Sequence, residues 1–377
     1  MKFNRRYFLI SLSSGLGLAF YSYNNLQQTP TTKLKKVNSK TTANAPVYSS
    51  EIPTPSAPAT KGIFAPKRGE VRLVVISDLN SSYGSTTYQI QVEKTMTLIP
   101  ELQPDLLLCA GDMIAGQKLS LTEENIEDMW SAFDRYIAKP LRQAKQPFCM
   151  TMGNHDASGY FKKSGDGYMY EKERIQAQIY WIKHKNDLNI NFLEADGFPF
   201  YYSFIHQEIF YLIWDASTFD IPTKQLEWVK KSLASSQAQT AKMRIVMGHL
   251  PLYAVAVGKN KFGDVLTETE KLQNLLEKYN VHLYISGHHH AYFPGYKGNL
   301  KLLHTGALGS GPRVLLNSNL PPRNTLTVLD INLELNQSFY TTYDLKTMRV
   351  VHLQELPEKI TGLNGWVLRE PKVMLPN

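Results

Sequence analysis

A layered α/β fold is the expectation from three features of the sequence. Short apolar runs rich in Val, Ile and Leu recur along the chain, and each gives way within two residues to a Gly or Asp that opens a polar stretch. Segments with helical apolar spacing lie between these runs. Strands alternating with helices argue for a largely parallel sheet, with functional residues on loops past the carboxyl ends of the strands. Further strand-like runs with turn-like spacing in the second half add a second, more antiparallel sheet packed on the first. At 43% apolar composition over 377 residues the chain can bury a full core.

Residues 1–23 have the layout of an export signal or N-terminal anchor. Paired Arg5 and Arg6 precede Tyr7, Phe8 and Leu9, an apolar run continues to Tyr21, and no acid occurs before Glu51. The pair resembles a twin-arginine signal; an ordinary secretory signal holding two arginines is the alternative. The apolar run is about 14 residues, short for spanning a bilayer by itself. No Ala-x-Ala site closes it, so an uncleaved membrane tether is open, and no Cys follows it, which excludes a lipoprotein anchor. The expected location is the periplasm or cell envelope. Residues 24–67, rich in Thr, Ser, Pro and Lys, bury too little apolar surface to offset their ordering entropy and read as a flexible linker. Residues 68–377 form the folded domain.

The formal charge of +8 is concentrated at the start. Residues 1–66 carry eight basic side chains against Glu51 alone, which leaves +1 for the remainder. No nucleic-acid partner is expected of so neutral a domain, and no obligate protein partner is implied.

Strands are expected at Val71–Ile76, Leu106–Ala110, Phe148–Met152, Ile245–Met247 and Leu283–Ile285. Helices are expected at Gln89–Ile99, Thr122–Ile137, Glu171–Lys185, Thr223–Ser235 and Thr267–Tyr279, with Thr223 as an N-cap. The second sheet is expected from Phe200–Ile205, Ile209–Asp215, Lys301–Leu303, Thr325–Ile331 and Phe339–Asp344. Cys109 and Cys149 sit in apolar runs and read as buried free thiols. A disulfide between them needs a Cα separation of about 4.4 to 6.8 Å, which only the fold can supply.

Five strand ends supply Asp78-Leu79-Asn80, Gly111-Asp112, Gly153-Asn154-His155-Asp156, Gly248-His249 and Gly287-His288-His289-His290. Any one alone is weak, since a lone His after a strand is more often a hydrogen-bonded structural residue. Together they offer the carboxylate, imidazole and amide donors that Mn, Fe and Zn accept, and a central carboxylate can bridge two such ions. Glycines ahead of the ligands let the backbone turn sharply.

In order and spacing this set resembles the signature of the calcineurin-like metallophosphoesterases across about residues 70 to 310. Gly248-His249-Leu250-Pro251-Leu252-Tyr253 and His288-His289-His290-Ala291-Tyr292 look like the branch containing purple acid phosphatases. The resemblance implies a four-layer αββα sandwich of two mixed sheets and hydrolysis of small-molecule phosphate esters at two divalent metal ions. It places Asp78, Asp112 and His290 on the first metal and Asp112, Asn154, His249 and His288 on the second. A hydroxide bridging the ions would attack phosphorus, His155 would protonate the leaving oxygen, and Asp156 would orient the His155 ring. His289 would point elsewhere.

Two positions depart from that pattern. Asn80 stands where most of the family has His, which weakens the first site or favours a harder ion such as Mn²⁺. Ala115 stands where the purple acid phosphatases have a tyrosine ligand, which disfavours a tyrosinate-bound Fe(III). The alternative is a non-catalytic protein that binds phosphorylated ligands through a degenerate first site. Arg313, after Gly309-Ser310-Gly311-Pro312, and Tyr292 are candidate substrate contacts. Tyr160, Phe161, Tyr168, Tyr170, Tyr180, Trp181, Tyr201 and Tyr202 either line the site for an aromatic substrate group or pack the 171–185 helix on the sheet.

Overall fold

The structure, a computed structural model, describes residues 66–309 and 311–371. The expected export signal and nearly all of the expected linker lie outside the described residues. The strands are β1 (Val71–Ile76), β2 (Leu106–Cys109), β3 (Phe148–Met150), β4 (Asn191–Glu194), β5 (Tyr202–His206), β6 (Ile209–Ile213), β7 (Met243–Met247) and β8 (Leu283–Ser286). They continue with β9 (Phe293–Lys297), β10 (Leu300–His304), β11 (Thr325–Asn332), β12 (Gln337–Asp344), β13 (Arg349–Val350), β14 (Lys359–Gly362) and β15 (Gly365–Arg369). Helices are α1 (Ile90–Leu102), α2 (Glu123–Phe133), α3 (Lys139–Gln143), α4 (Asn154–Ala157), α5 (Glu171–Lys183), α6 (Thr223–Leu233), α7 (Ser236–Thr240) and α8 (Thr269–Lys278). A π-helical turn, Asp134–Ala138, joins α2 to α3.

Two mixed sheets result, one of six strands ordered β13-β12-β11-β1-β2-β3 and one of nine ordered β14-β15-β9-β10-β8-β7-β6-β5-β4. Each has a parallel block: β1-β2-β3 forms one end of the first, with antiparallel strands on the β1 side only, and β10-β8-β7-β6 is central in the second, with antiparallel strands on both sides. This corrects the expected partition of one parallel sheet and one more antiparallel sheet. The 243–247 and 283–286 strands belong with β6 and β10, whereas β11 and β12 return to pair antiparallel beside β1. A run such as β11, buried at all but its last position, advertises burial on both faces but not its neighbour.

The sheets are tied directly. The Tyr202 hydroxyl of β5 donates to the Met150 carbonyl of β3 at 2.6 Å, and Thr151 Oγ1 donates to the Trp214 carbonyl at 3.1 Å. Outside the sheets, α2 packs on α5, α6 touches β6 and α8 touches β10. Helix α6 starts one residue earlier in register than expected. Pro222 occupies the N-cap position and Thr223 is the first helical residue, so Thr223 makes no cap. Strands β4, β9 and β13 to β15 carry no strong apolar signal: β4 is largely exposed, and β9 contains Pro294 and Gly295, which usually argue against a strand.

Cys109 and Cys149 are buried and free. They lie on adjacent parallel strands, but Cys109 pairs with Met150 and Leu108 with Cys149. That one-residue offset sends the two thiols to opposite faces of the sheet.

Candidate metal centre

The carboxyl ends of β1, β2, β3, β7 and β8 gather at one edge, where main-chain bonds lock their loops together. The Asp78 N–H donates to the Gly111 carbonyl at 2.9 Å, Asn80 N–H to the Asp112 carbonyl at 3.2 Å, and Gly287 N–H to the His249 carbonyl at 3.0 Å. Asp78, Asp112, His288 and His290 all adopt positive φ, at 53°, 56°, 63° and 52°. Each such residue costs roughly 1 to 2 kcal/mol relative to right-handed backbone, and strain of this kind concentrates at functional sites. It turns the chain back at each strand end and aims the side chains inward.

Two clusters of donor atoms form, Asp78 with Asp112 and His290, and Asp112 with His249 and His288; within each, the atoms lie within 4.8 Å of one another. Asp112 belongs to both. His249 Nδ1 lies 2.7 Å from the Ala110 carbonyl and must donate to it, so Nε2, 3.3 Å from Asp112 Oδ2 and 3.0 Å from Asn154 Oδ1, holds a proton in the metal-free chain and is the nitrogen that a metal would take. By the same logic His290 Nδ1 donates to the Gly311 carbonyl at 3.0 Å while Nε2 sits 3.1 Å from Asp78 Oδ1. Asn80 is buried beside them.

These residues fit divalent cations. Asp78 and Asp112 are 0% and 1% exposed, and among the described residues the ion pairs they form are with histidines, none with Lys or Arg. Two buried carboxylates that close together need positive charge. In the metal-free chain the histidines supply it. Burial would push the Asp112 carboxyl up, but His249 and His155 hold it below the ordinary carboxylate range. Burial would lower His249, and Asp112 carries it up to about 9 instead. His290 is likewise raised by Asp78 against burial. His288 is held well below its ordinary value by burial and Lys259.

The space around Asp112 admits no side chain at Gly153. A Cβ added there would lie 2.0 Å from Asp112 Oδ1 and 2.3 Å from its main-chain nitrogen. A Gly153→Ala substitution should therefore displace Asp112, costing about 1 to 3 kcal/mol as overpacking and lowering the ions retained per chain. Urea unfolding with chelator present, beside metal analysis, would check it; unchanged stability and metal content would show that the Asp112 loop yields freely.

The calcineurin-like phosphoesterase family model matches residues 71–292, more than half of the chain. The chain belongs to this family. Over 249 residues it is 23% identical to purple acid phosphatase 15 of Arabidopsis thaliana, covering 62% of this chain and 42% of that protein. Purple acid phosphatase PPD1 from seeds of yellow lupin (Lupinus luteus) superposes with a TM-score of 0.54 at 19% identity, covering 76% of this chain and 54% of that one. The chain thus spans about half the length of the purple acid phosphatases it matches. The superposition shows the same two-sheet fold.

His155 stands beside the calcineurin-like centre and in neither cluster. Its main-chain N–H donates to Asp112 Oδ1 at 2.9 Å, and its Nε2 is 4.0 Å from Asp112 Oδ2. Asp156 does not orient its ring, contrary to expectation. His155 and Asp156 are consecutive in α4, and helical neighbours do not face each other. The Asp156 carboxylate instead accepts four main-chain N–H groups, those of Asp112, Met113, Ile114 and Gly153, at 2.7 to 2.9 Å. Burial and neighbouring Asp112 push this carboxyl up to about 7, against those four donors. Its position makes Asp156 the anchor of the Asp112 loop.

The ring is oriented by Gly116, whose carbonyl accepts from His155 Nδ1 at 2.9 Å. Next to it, Gln117 Oε1 accepts from Asn154 Nδ2 at 2.7 Å, which turns Asn154 Oδ1 toward His249. The buried Glu173 of α5 holds this turn by accepting the N–H groups of Gln117 at 2.8 Å and Lys118 at 3.3 Å. None of these three residues was among the expected site residues, because nothing in the sequence ties position 117 or 173 to the strand-end motifs.

Arg313 lies near the centre through its main chain, its N–H donating to the His290 carbonyl at 2.9 Å. Its guanidinium packs against Gly258, where an added Cβ would be 2.9 Å from it. Tyr292 is buried, 5% exposed, and lines a small cavity together with Arg313. Most of the aromatic set packs. Tyr180 stacks on Trp130 at 4.8 Å, Trp181 lies edge-on to Phe133, and Tyr202 bonds β3. Tyr168 and Tyr201, with Phe200 and Arg174, line a cavity of about 390 Å³ that Gly159, just past α4, also lines; neither His155 nor a candidate ligand lines it. The ring nearest His155 is the exposed Tyr83, 5.2 Å away, which no motif pointed to.

Proposed function

We propose that this chain hydrolyses small-molecule phosphate esters at two divalent ions, with Asp112 bridging them. The single observation that carries the reading is that Asp112, buried and unpaired by any Lys or Arg among the described residues, belongs to both donor clusters. Asp78 and His290 would complete the first site, with the buried Asn80 beside it. Asn154, His249 and His288 would complete the second. When bound, the ions supply positive charge that polarises a phosphoryl group and acidifies water. Their chemistry would be that of Mn, Fe or Zn.

The rest falls to the side chains. The Gly116 carbonyl fixes His155 Nδ1–H and leaves Nε2 to deliver a proton to the ester oxygen as the P–O bond breaks. Tyr83 packs tilted against the His155 ring, 5.2 Å between centroids. Ala115 offers no donor, so no tyrosinate ligand is assigned. The basic and apolar character of residues 1–23 supports export to the periplasm or cell envelope, with a membrane tether at the N-terminus. No helix among the described residues is long and apolar enough to cross a membrane.

The test strips the full chain of metal and reloads it separately with Mn²⁺, Fe²⁺, Zn²⁺ or Mg²⁺. Hydrolysis of p-nitrophenyl phosphate and bis-p-nitrophenyl phosphate is followed beside bound metal per chain. Turnover that returns with about two ions is expected, and the preferred ester separates phosphatase from diesterase. A chain that binds phosphate compounds but turns over neither ester with any metal would overturn the reading.

A further inference from the structure

His288 approaches the second cluster with one ring nitrogen already taken. Its Nε2 lies 2.9 Å from Asp264 Oδ1. Lys259 Nζ lies 3.3 Å from the same Nε2 but closer, at 3.0 Å, to Asp264 Oδ1, so the lysine's proton goes to the carboxylate. The carboxylate, nearer to Nε2 than the lysine and repelled by a lone pair there, then places the proton on Nε2 and leaves Nδ1 for a metal. Asp264 is 8% exposed and closes the segment that follows β7. Lys259 Nζ lies 3.0 Å from the same Oδ1, and Lys261 Nζ lies 3.8 Å from Oδ2. The next histidine holds the segment in place: His289 Nδ1 accepts the Val255 N–H at 3.2 Å, and its Nε2 donates to the Asp264 main-chain carbonyl at 2.9 Å. Two successive histidines therefore grip one aspartate, His288 by its carboxylate and His289 by its backbone.

We propose that Asp264 is a positioning residue for the second metal site, fixing the tautomer and angle of His288. The role rests on the two-metal reading above. A carboxylate behind a ligating imidazole is worth about 10- to 100-fold in metal affinity. Lys259 gives that carboxylate its charge partner, so the arrangement persists before metal binds. The His289 bond anchors the segment independently of the Asp264 side chain, which separates loop anchoring from ligand tuning.

The experiment titrates Zn²⁺ into the full chain and its Asp264→Asn variant in competition with a chelator, and records the melting temperature of each without metal. Expected are two ions in the parent and, in the variant, one ion held as before and the other weakened about 10- to 100-fold, with the metal-free melting temperature unchanged. A variant that holds both ions as tightly as the parent overturns the role. A variant that melts lower but keeps both affinities overturns it too, leaving Asp264 as a loop anchor. Should the variant not fold, the parent alone decides. In the zinc-loaded parent labelled with ¹⁵N-histidine, an assigned His288 signal protonated at Nε2 supports the role, and one protonated at Nδ1 overturns it. A parent that binds fewer than two Zn²⁺ sinks the two-metal reading itself, and this role with it.

Discussion

Replacing His155 by alanine should lower turnover by about 10²- to 10⁴-fold while the chain keeps its full complement of ions. The ring is outside both donor clusters, so its loss removes no ligand. Its one fixed contact is Nδ1–H on the Gly116 carbonyl, which leaves Nε2 aimed toward the edge of Asp112 at 4.0 Å. A group so placed can hand a proton to a departing oxygen but has no other evident use. The size of the loss should track the leaving group. A p-nitrophenolate departs readily without a proton and should sit at the mild end, whereas an alkoxide needs protonation and should suffer most. Comparing kcat for p-nitrophenyl and simple alkyl phosphates in parent and variant, beside metal content, checks this. Equal losses on both esters, or no loss, would remove His155 from proton transfer.

The same histidine shows where sequence reading reaches its limit. His155, Asp78, Asp112, His249 and the 288–290 run could be picked out because each follows an apolar strand, and the parallel strands of each sheet deliver those strand ends to one edge. Strand existence was legible for the same reason, since burial on both faces leaves an unbroken apolar run. Partnership was not legible: the 325–332 strand announces burial but not that it lies against β1. Adjacency also misleads. Asp156 follows His155 in sequence, yet a helical turn points it away and gives it to four N–H groups of the Asp112 and Gly153 loops.

What the sequence hides entirely is the layer behind the ligands. Gly116, Gln117 and Glu173 orient His155 and Asn154, and Asp264 backs His288, through contacts that span 24 to 56 residues of chain. No local spacing rule connects them. The positive φ at Asp78, Asp112, His288 and His290 is equally silent in sequence, because each is a residue type that only tolerates that backbone. The ligand types are written locally, whereas their orientation is a property of the assembled loops.

Asp112 is where ligand identity and fold meet, and Asp112→Asn should have the largest effect of any single change. The substitution is nearly isosteric, so the four N–H bonds of Asp156 and the strand ends should survive. What disappears is the only carboxylate common to both clusters, so both ions should be lost and turnover should fall to background. A second consequence concerns protons. In the metal-free parent Asp112 overrides burial and keeps His249 protonated up to about 9. A metal takes the Nε2 lone pair, so loading expels that proton, and affinity should rise by about tenfold per pH unit until His249 titrates. His249, raised above its ordinary value of 6.5, stabilises the metal-free fold fully below that pH and loses the contribution as pH climbs through about 9. Asp112 itself is lowered, so its own contribution is lost only in acid, outside this window. Between pH 6.5 and 9 the melting temperature in chelator should therefore fall while the metal-induced rise in melting temperature grows. In Asp112→Asn both slopes should flatten, because burial then governs His249 and pulls it down. Calorimetry in buffers of differing ionisation enthalpy would count the proton released. Two ions retained by the variant, or a pH slope identical to the parent's, would mean that another residue bridges the centre.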